Sequence, residues 1–396
     1  MNYILFDDVV WNDLRPLTFT RPVCEIRVGI LTIREKWEKY LTATCSYLTK
    51  DYLSHKYPLV LYDKNMLINA SVLPSVELRN AISNLNEGEY LSKDGLVLAA
   101  YLNAEDLKLV NEKGILEKKE IVFGFDFIRV VKPYDIFKLN DQAIRTDFNL
   151  LTKGRKSQEI SGSVNVLGKE NVFLEEGAKV EFATLNATDG PIYIGKDAII
   201  MEGSLVRGPL AMCEHAQLKM GAKVYGATTL GPYCKCGGEL NNVVLFGYSS
   251  KAHDGFLGNA VLGEWCNIGA DTNNSNLKNN YSEVKLWSYS SKHFENTGLQ
   301  FCGTIMGDHS KCGINTMLNT GTVIGVSANI FGAGFPRNFI PSFAMGGNHG
   351  FKEYRLKACF EVVSLVMQRR GLECNDTERD ILAHVFEMTE EYRKSF

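Results

Sequence analysis

Apolar residues recur every six positions from Ile194 to Cys236: Ile194, Ile200, Val206, Met212, Leu218, Val224, Leu230 and Cys236. Four positions after each stand Ala198, Ser204, Leu210, Ala216, Ala222, Thr228, Cys234 and Leu240, small in all but the two leucines. The pattern returns as Met306, Cys312, Leu318, Ile324 and Ile330, followed at the same interval by Ser310, Thr316, Thr322, Ala328 and Gly334. A helix repeats near 3.6 residues and a half-buried strand at 2, so sustained hexads predict a parallel β-helix. The apolar side chain fills the coil, and the small one lets the chain turn the corner. The period slips between Cys236 and Leu262, and a polar, aromatic segment between Asn273 and Phe301 leaves the coil as a loop.

The flanking regions follow other patterns. Residues 1–150 mix apolar strands (Tyr3–Phe6, Leu59–Tyr62 ending in Asp63, Leu96–Ala100) with helical stretches at Ile33–Leu41 and Ala104–Leu109, which predicts an α/β domain. Residues 151–163 are polar and glycine-containing, a linker, and the β-helix is expected over 164–345. Over 346–396 the chain turns helical. Tyr354, Leu356, Phe360, Val363 and Val366 form a stripe stopped by Gly371, and Thr377 with Asp380 marks the start of a last helix through Tyr392. The glycine-rich Gly346–Gly350 stretch reads as the hinge into these helices, which are expected to cover the open end of the coil.

Composition adds exclusions. A chain of 396 residues suits two or three domains, and a net charge of −3 gives no electrostatic case for nucleic acid or an anionic membrane. No apolar run is long enough to span a bilayer, and the start, Met1–Asp8, lacks the basic region of a signal peptide. The ten cysteines are scattered, several at inward or corner hexad positions, as expected of buried thiols in a reducing, cytoplasmic setting. Cys234 and Cys236 are too close for zinc spacing, and no two of the seven histidines are five residues apart, which argues against a β-helix carbonic anhydrase.

The segment Ser249-Ser250-Lys251-Ala252-His253-Asp254-Gly255-Phe256-Leu257-Gly258-Asn259, continued by Asn267-Ile268-Gly269-Ala270-Asp271-Thr272 and Asn276, carries a family resemblance. It is similar to the acetyltransferase half of bifunctional UDP-N-acetylglucosamine pyrophosphorylase/glucosamine-1-phosphate N-acetyltransferases, and the whole chain resembles their divergent Bacteroidetes-type branch with a shortened N-terminal domain. The resemblance implies a left-handed coil, a homotrimer and acetyl-CoA as acetyl donor between neighbouring coils. Asp13–Pro22 resembles the stretch after the glycine loop of sugar-1-phosphate nucleotidylyltransferases. It implies nucleotide contacts from Arg15 and Arg21 and a Mg²⁺ site at Asp63. Here the loop itself, Phe6–Asn12, holds no glycine, and Val23 stands where the family has a lysine.

The same resemblance assigns site residues. Acetylating an amine requires a proton acceptor, and imidazole titrates in the right range, so His253 matches the general base and Glu239 the carboxylate that orients it. Lys223 falls where the family has a phosphate-binding arginine, and Asn241 where it has a lysine. Phe256 and Leu277 replace tyrosines, which leaves the sugar pocket less polar. Asn267 and Asn276 keep sugar-binding amide positions, with a structural asparagine ladder as the alternative. Ala270 and Arg337 correspond to the coenzyme A site, with a simple coil exit as the alternative for Arg337. Three functions stay open: acetyl transfer to an amino-sugar-1-phosphate, nucleotidylyl transfer with UTP and Mg²⁺, and non-catalytic sugar-nucleotide binding.

Overall fold

The computed structural model describes residues 1–107 and 118–394. The chain divides into two compact units. Met1–Leu14, Arg21–Ile26 and Leu31–Lys132 form the first; Arg15–Thr20, Arg27–Ile30 and Pro133–Phe396 form the second.

The first unit is built on a six-stranded sheet in the order β2-β1-β3-β5-β4-β6. Its strands are β1 Asn2–Phe6, β2 Cys45–Leu48, β3 Asn65–Asn69, β4 Glu89–Lys93, β5 Leu96–Leu102 and β6 Lys119–Val122. Strands β1, β2 and β3 run parallel, while β5 is antiparallel to both β3 and β4. Asp94-Gly95 joins β4 to β5 with φ of 51° and 78°. That left-handed pair matches the twist of a hairpin, and Asp-Gly tolerates it. Ile4, Leu67, Ala100 and Leu102 pack as one core with Leu107. The helix Ile33–Leu41 forms as its sequence predicts, opened by a reciprocal cap between Thr32 and Glu35. Residues 104–107 are helical as expected; Lys108 and Leu109 lie outside the described residues.

One expectation fails here. Leu59–Tyr62 is exposed coil, and the strand is Asn65–Asn69, five residues buried throughout. Apolar runs alone cannot separate the two. The strand carries asparagines at both ends, so its sequence reads as more polar than the loop before it.

The second unit is a three-sided β-helix. Its first face runs from Asn165–Leu167 to Phe256–Gly258, its second from Val172–Leu174 to Phe339–Ile340, and its third from Lys179–Val180 to Ala344–Gly347. Parallel pairing stacks one inward column through eight coils: Ile194, Met212, Leu230, Leu245, Leu262, Met306, Ile324 and Ile340. All are fully buried. Each such side chain contributes roughly 1.5–3 kcal/mol. On one edge His215, Tyr233, Tyr248, Trp265 and His309 take positive φ and stack their rings in succession. The loop that interrupts the coil carries an antiparallel hairpin, Lys285–Ser288 with His293–Asn296.

Helix Asp135–Thr152 also belongs to this unit, burying Ile136, Phe137, Asn140, Ala143, Ile144 and Asp147. Two of those inward places are polar, which hides the helical stripe in the sequence. Asn140 accepts from Gly29 N and donates to Ala227 O, so its burial is satisfied.

At the C-terminus Gly346–Gly350 is no hinge. It forms the turn of an antiparallel hairpin, Ala344–Gly347 with Gly350–Glu353. Helix Leu356–Gln368 follows and buries Cys359, Val363 and Met367, one residue of the expected stripe. The next helix, Asp376–Met388, is capped by Asn375, which accepts from Glu378 N; Thr377 lies inside it. Thr389 ends that helix, and a short turn, Glu390–Arg393, carries the chain past Tyr392. No described helix is long and apolar enough to cross a membrane, and all ten cysteines are free and buried.

Candidate functional site

The coils shorten where the hexads slip. On the first face Leu205 pairs with Lys223, eighteen residues on; Lys223 pairs with Glu239, sixteen on; Glu239 pairs with Phe256, seventeen on. The two residues missing from the sixteen-residue coil come out of the corner between the third and first faces, and the one missing from the next coil comes out between the first and second. Gly237-Gly238 turns the former corner in two residues, with Gly238 at φ 69°. A Cβ on Gly238 would lie 2.9 Å from Asp254 Cα and 3.0 Å from His253 O, so glycine lets the next bend settle directly on this corner.

That next bend carries His253. It joins Ser250–Lys251 on the third face to Phe256–Gly258 on the first. The His253 side chain is exposed and makes no hydrogen bond among the described residues. Its main chain is held from inside: Lys251 Nζ donates to His253 O at 2.5 Å and to Asp254 O at 3.0 Å. Burial pulls the Lys251 ammonium below its usual range. Asp271 N, one coil further, also donates to Asp254 O, at 3.0 Å. Ala270 stands beside it on the same edge.

Around the corner on the first face, Lys223, Glu239 and Asn241 point outward from neighbouring coils. Lys223 is exposed and has no ion-pair partner among the described residues. Tyr225 donates its hydroxyl to Glu239 at 2.5 Å, and that bond raises the phenol pKa. No hydrogen bond joins Glu239 to His253, so within one chain the expected carboxylate–imidazole pair is not formed. Asn276 donates to Asn259 at 2.8 Å and, with the Phe256 ring, closes over Gly258, where a Cβ would sit 2.7 Å from the Asn276 amide nitrogen.

Two further asparagines hold the main chain of the preceding coil. Asn273 accepts from Phe256 N at 2.7 Å; Asn274 accepts from Gly258 N at 2.8 Å and donates to Gly258 O at 2.9 Å. Asn267 instead lies exposed on the third face, paired between Ser250 and Lys311, and is not brought together with Lys223, Glu239 and Asn241.

Arg337 lies exposed on the last coil in a cleft of about 670 Å³. Lys278 and Lys285 share its lining with the rings of Trp287, Phe294 and Phe339. Trp287 stacks on Phe339 at 4.3 Å between centroids. Three cations and three aromatic rings, with no carboxylate in the lining, suit a flat, phosphate-bearing group.

In the first unit the candidate residues fare differently. Asp63 is exposed beside Met1 and Asn2, ahead of β3, so it sits at the amino edge of the parallel strands. Ligands of open α/β sheets bind at the carboxyl edge. Arg21 is buried, and Arg15, grouped with the second unit, lies over the rings of Phe19 and Tyr289. Arg21 is thus withdrawn from solvent, while Arg15 is half-buried against its two rings.

The carboxyl edge of β1 is occupied by the protein itself. Asp8 accepts from Val10 N at 2.9 Å, Arg129 at 2.9 Å and Asn69 at 3.0 Å. Asp7 accepts from Val23 N at 2.9 Å and Thr49 at 2.5 Å, and burial raises its pKa to about 7. No cluster of three histidine, cysteine, aspartate or glutamate side chains able to hold a metal occurs among the described residues. The donors at Asp63 therefore do not fit the expected Mg²⁺ site.

Lys251, Tyr225 and Asn274 are site-region residues the sequence reading misses. Lys251 had a signal: it stands six after Leu245 and six before Leu257, in the apolar place of the hexad.

Residues 3–156 match the family described as Sugar nucleotidyl transferase. Over 281 residues the chain is 23% identical to the Bifunctional protein GlmU of Nostoc sp. (strain PCC 7120), covering 65% of this chain and 51% of that protein. The same-named protein of Synechococcus elongatus is 23% identical over 240 residues, covering 55% of this chain and 49% of its own length. The chain thus spans about half the length of the curated relatives it matches. Among solved structures, a UDP-N-acetylglucosamine acyltransferase from Campylobacter jejuni is 14% identical, covers 60% of this chain and 84% of its own, and superposes with a TM-score of 0.25. The fold rests on the coil pairing above and not on that likeness.

Proposed function

We propose that this chain, a divergent member of a GlmU-like family of transferases by the matches above, transfers an acetyl group from acetyl-CoA to the amine of a phosphorylated amino sugar such as glucosamine-1-phosphate. The observation that carries the reading is the unpartnered His253 imidazole, presented at a coil edge two coils from the exposed Lys223 ammonium, with Glu239 on the coil between. His253 accepts the amine proton as nitrogen attacks. Lys223 meets the sugar phosphate, with Asn241 and Asn276 on the sugar and the Phe256 ring against its apolar surface. Glu239, bound to Tyr225, adds negative charge to the same face. Acetyl-CoA supplies the thioester when bound. Arg337, Lys278 and Lys285 would hold its phosphates, Trp287 and Phe294 its base, and Ala270 would line its path. A homotrimer in the cytoplasm and a place in UDP-N-acetylglucosamine-type sugar-nucleotide synthesis belong to this reading as further proposals.

Incubation with acetyl-CoA and glucosamine-1-phosphate should release free thiol. Unchanged turnover in His253→Ala would overturn the base assignment, and no release with any amino-sugar phosphate would overturn the activity.

The match over residues 3–156 favours a second reading, nucleotidylyl transfer from UTP. Against it stand the internal partners of Asp7 and Asp8 and the position of Asp63. Pyrophosphate release in the presence of Mg²⁺ and a panel of sugar phosphates separates the two. Tight sugar-nucleotide binding without turnover in either assay would instead indicate a binding protein.

A further inference from the structure

The third face has an inward column of apolar side chains: Ile200, Leu218 and Cys236 below Lys251, and Ile268, Cys312 and Ile330 above it. Lys251 alone in this column is charged, and it is 1% exposed. Its hydrogen-bond partners are two backbone carbonyls, with no carboxylate in contact among the described residues. A buried ammonium is costly when the nearest carboxylates, Asp254 and Asp271, act on it only from beyond contact distance, and the coils on either side use leucine, isoleucine or cysteine at the same place. Packing alone therefore gives no reason for a lysine here.

The reason lies in the corner. Other four-residue corners on this edge close with a bond from their fourth residue to their first: Ala222 N to Lys219 O at 3.2 Å and Thr272 N to Gly269 O at 3.3 Å through the main chain, Ser204 Oγ to Met201 O at 2.8 Å and Thr316 Oγ1 to Gly313 O at 2.9 Å through a hydroxyl. No such bond closes the corner at 252–255 among the described residues. The fourth residue here is Gly255, at φ 112°, which has no side chain to close the corner as Ser204 and Thr316 do. Lys251 Nζ supplies one from the interior, gripping the carbonyls of His253 and Asp254.

We infer that Lys251 is a positioning residue, whose enclosed ammonium fixes the 253–255 bend so that His253 leaves the coil in a single direction. This rests on the reading of His253 as the base. An apolar side chain would fill the column equally well but let the bend move. Stability and activity are thereby set against each other at one residue.

The test is Lys251→Met, made in the full chain. The expected result is a melting temperature equal to or above wild type, with kcat lowered about 10²-fold, as a misplacement near 1 Å can do. KM for acetyl-CoA should stay within twofold or threefold of wild type on the order-of-magnitude view that only the base has moved. Hydrogen exchange at the amides of Asp271 and Glu239, which donate to Asp254 O and Gly255 O, should quicken. Lys251→Gln, which keeps an N–H donor, should recover part of the lost kcat. In a His253→Ala background, adding Lys251→Met should cost nothing further. Full kcat in Lys251→Met, unchanged exchange at those two amides, or a lowered melting temperature with turnover per folded molecule intact would each overturn the inference. Full turnover in His253→Ala would instead sink the base assignment, and the exchange measurement would still report whether Lys251 holds the bend.

Discussion

The carboxyl edge of β1 and the His253 bend are both places where a chain reversal brings polar groups together, and they are treated in opposite ways. At the first, Asp7 and Asp8 consume the donors: Val10 N, Val23 N, Asn69, Thr49 and Arg129 all point at the protein's own carboxylates. At the second, the internal bonds go to the main chain, and the His253 ring is left open. A site competent for chemistry needs groups that are rigidly held yet unsatisfied, ready for a substrate. The coil meets that description. The sheet edge does not, because an incoming phosphate would have to displace two carboxylates already hydrogen-bonded where it would bind.

The comparison breaks most readily at His253. His253→Ala should lower acetyl transfer by about 10²–10⁴-fold, the usual contribution of a general base, with folding intact by circular dichroism. An equal loss from any first-unit substitution would erase the contrast.

Asp7 sharpens the other side. Burial raises its carboxyl from 3.8 to about 7, so folding favours the neutral acid. The stability that the neutral form contributes is complete below about pH 4 and is lost as pH rises through about 7. Asp7→Asn should therefore stabilise the protein above pH 7, on the order of 2 kcal/mol, and leave it nearly unchanged at pH 4. Denaturant melts at the two pH values would show it; a stabilisation that is the same at both would mean that Asp7 is ionised throughout.

A smaller effect is expected from Lys223→Ala. KM for the phosphorylated sugar should rise about tenfold, with that for acetyl-CoA unmoved and the difference shrinking in high salt. Asp63→Asn should have the least effect, none on either activity, since the carboxylate lies at the amino edge of the sheet. A loss of pyrophosphate release in that variant would restore it as a metal ligand.

Much of the molecule is legible in its hexads. Ile194 through Leu230 and Met306 through Ile330 fall inward as the period requires, because each coil repeats one geometry and a periodic pattern needs no distant information. The helix Ile33–Leu41 is legible for a similar reason, since Thr32 and Glu35 cap it locally. The segment around His253 was legible only through its resemblance to a family. Lys251, in the hexad's apolar place, carried a signal that a charge-based reading passes over.

Tertiary structure decided the rest. Asn267 and Asn276 look equivalent in sequence, but the corner at 269–272 places them on different faces. Asp63 follows an apolar run and suggests a strand end; only pairing with β1 shows that the strand begins after it. Helix Asp135–Thr152 is masked by Asn140 and Asp147, whose burial makes sense only with Gly29 and Ile30 donating to them from a distant segment. Sequence determined what repeats and what is capped within a few residues. Structure determined which polar groups are already spent on one another, and that depends on contacts between positions far apart in the chain.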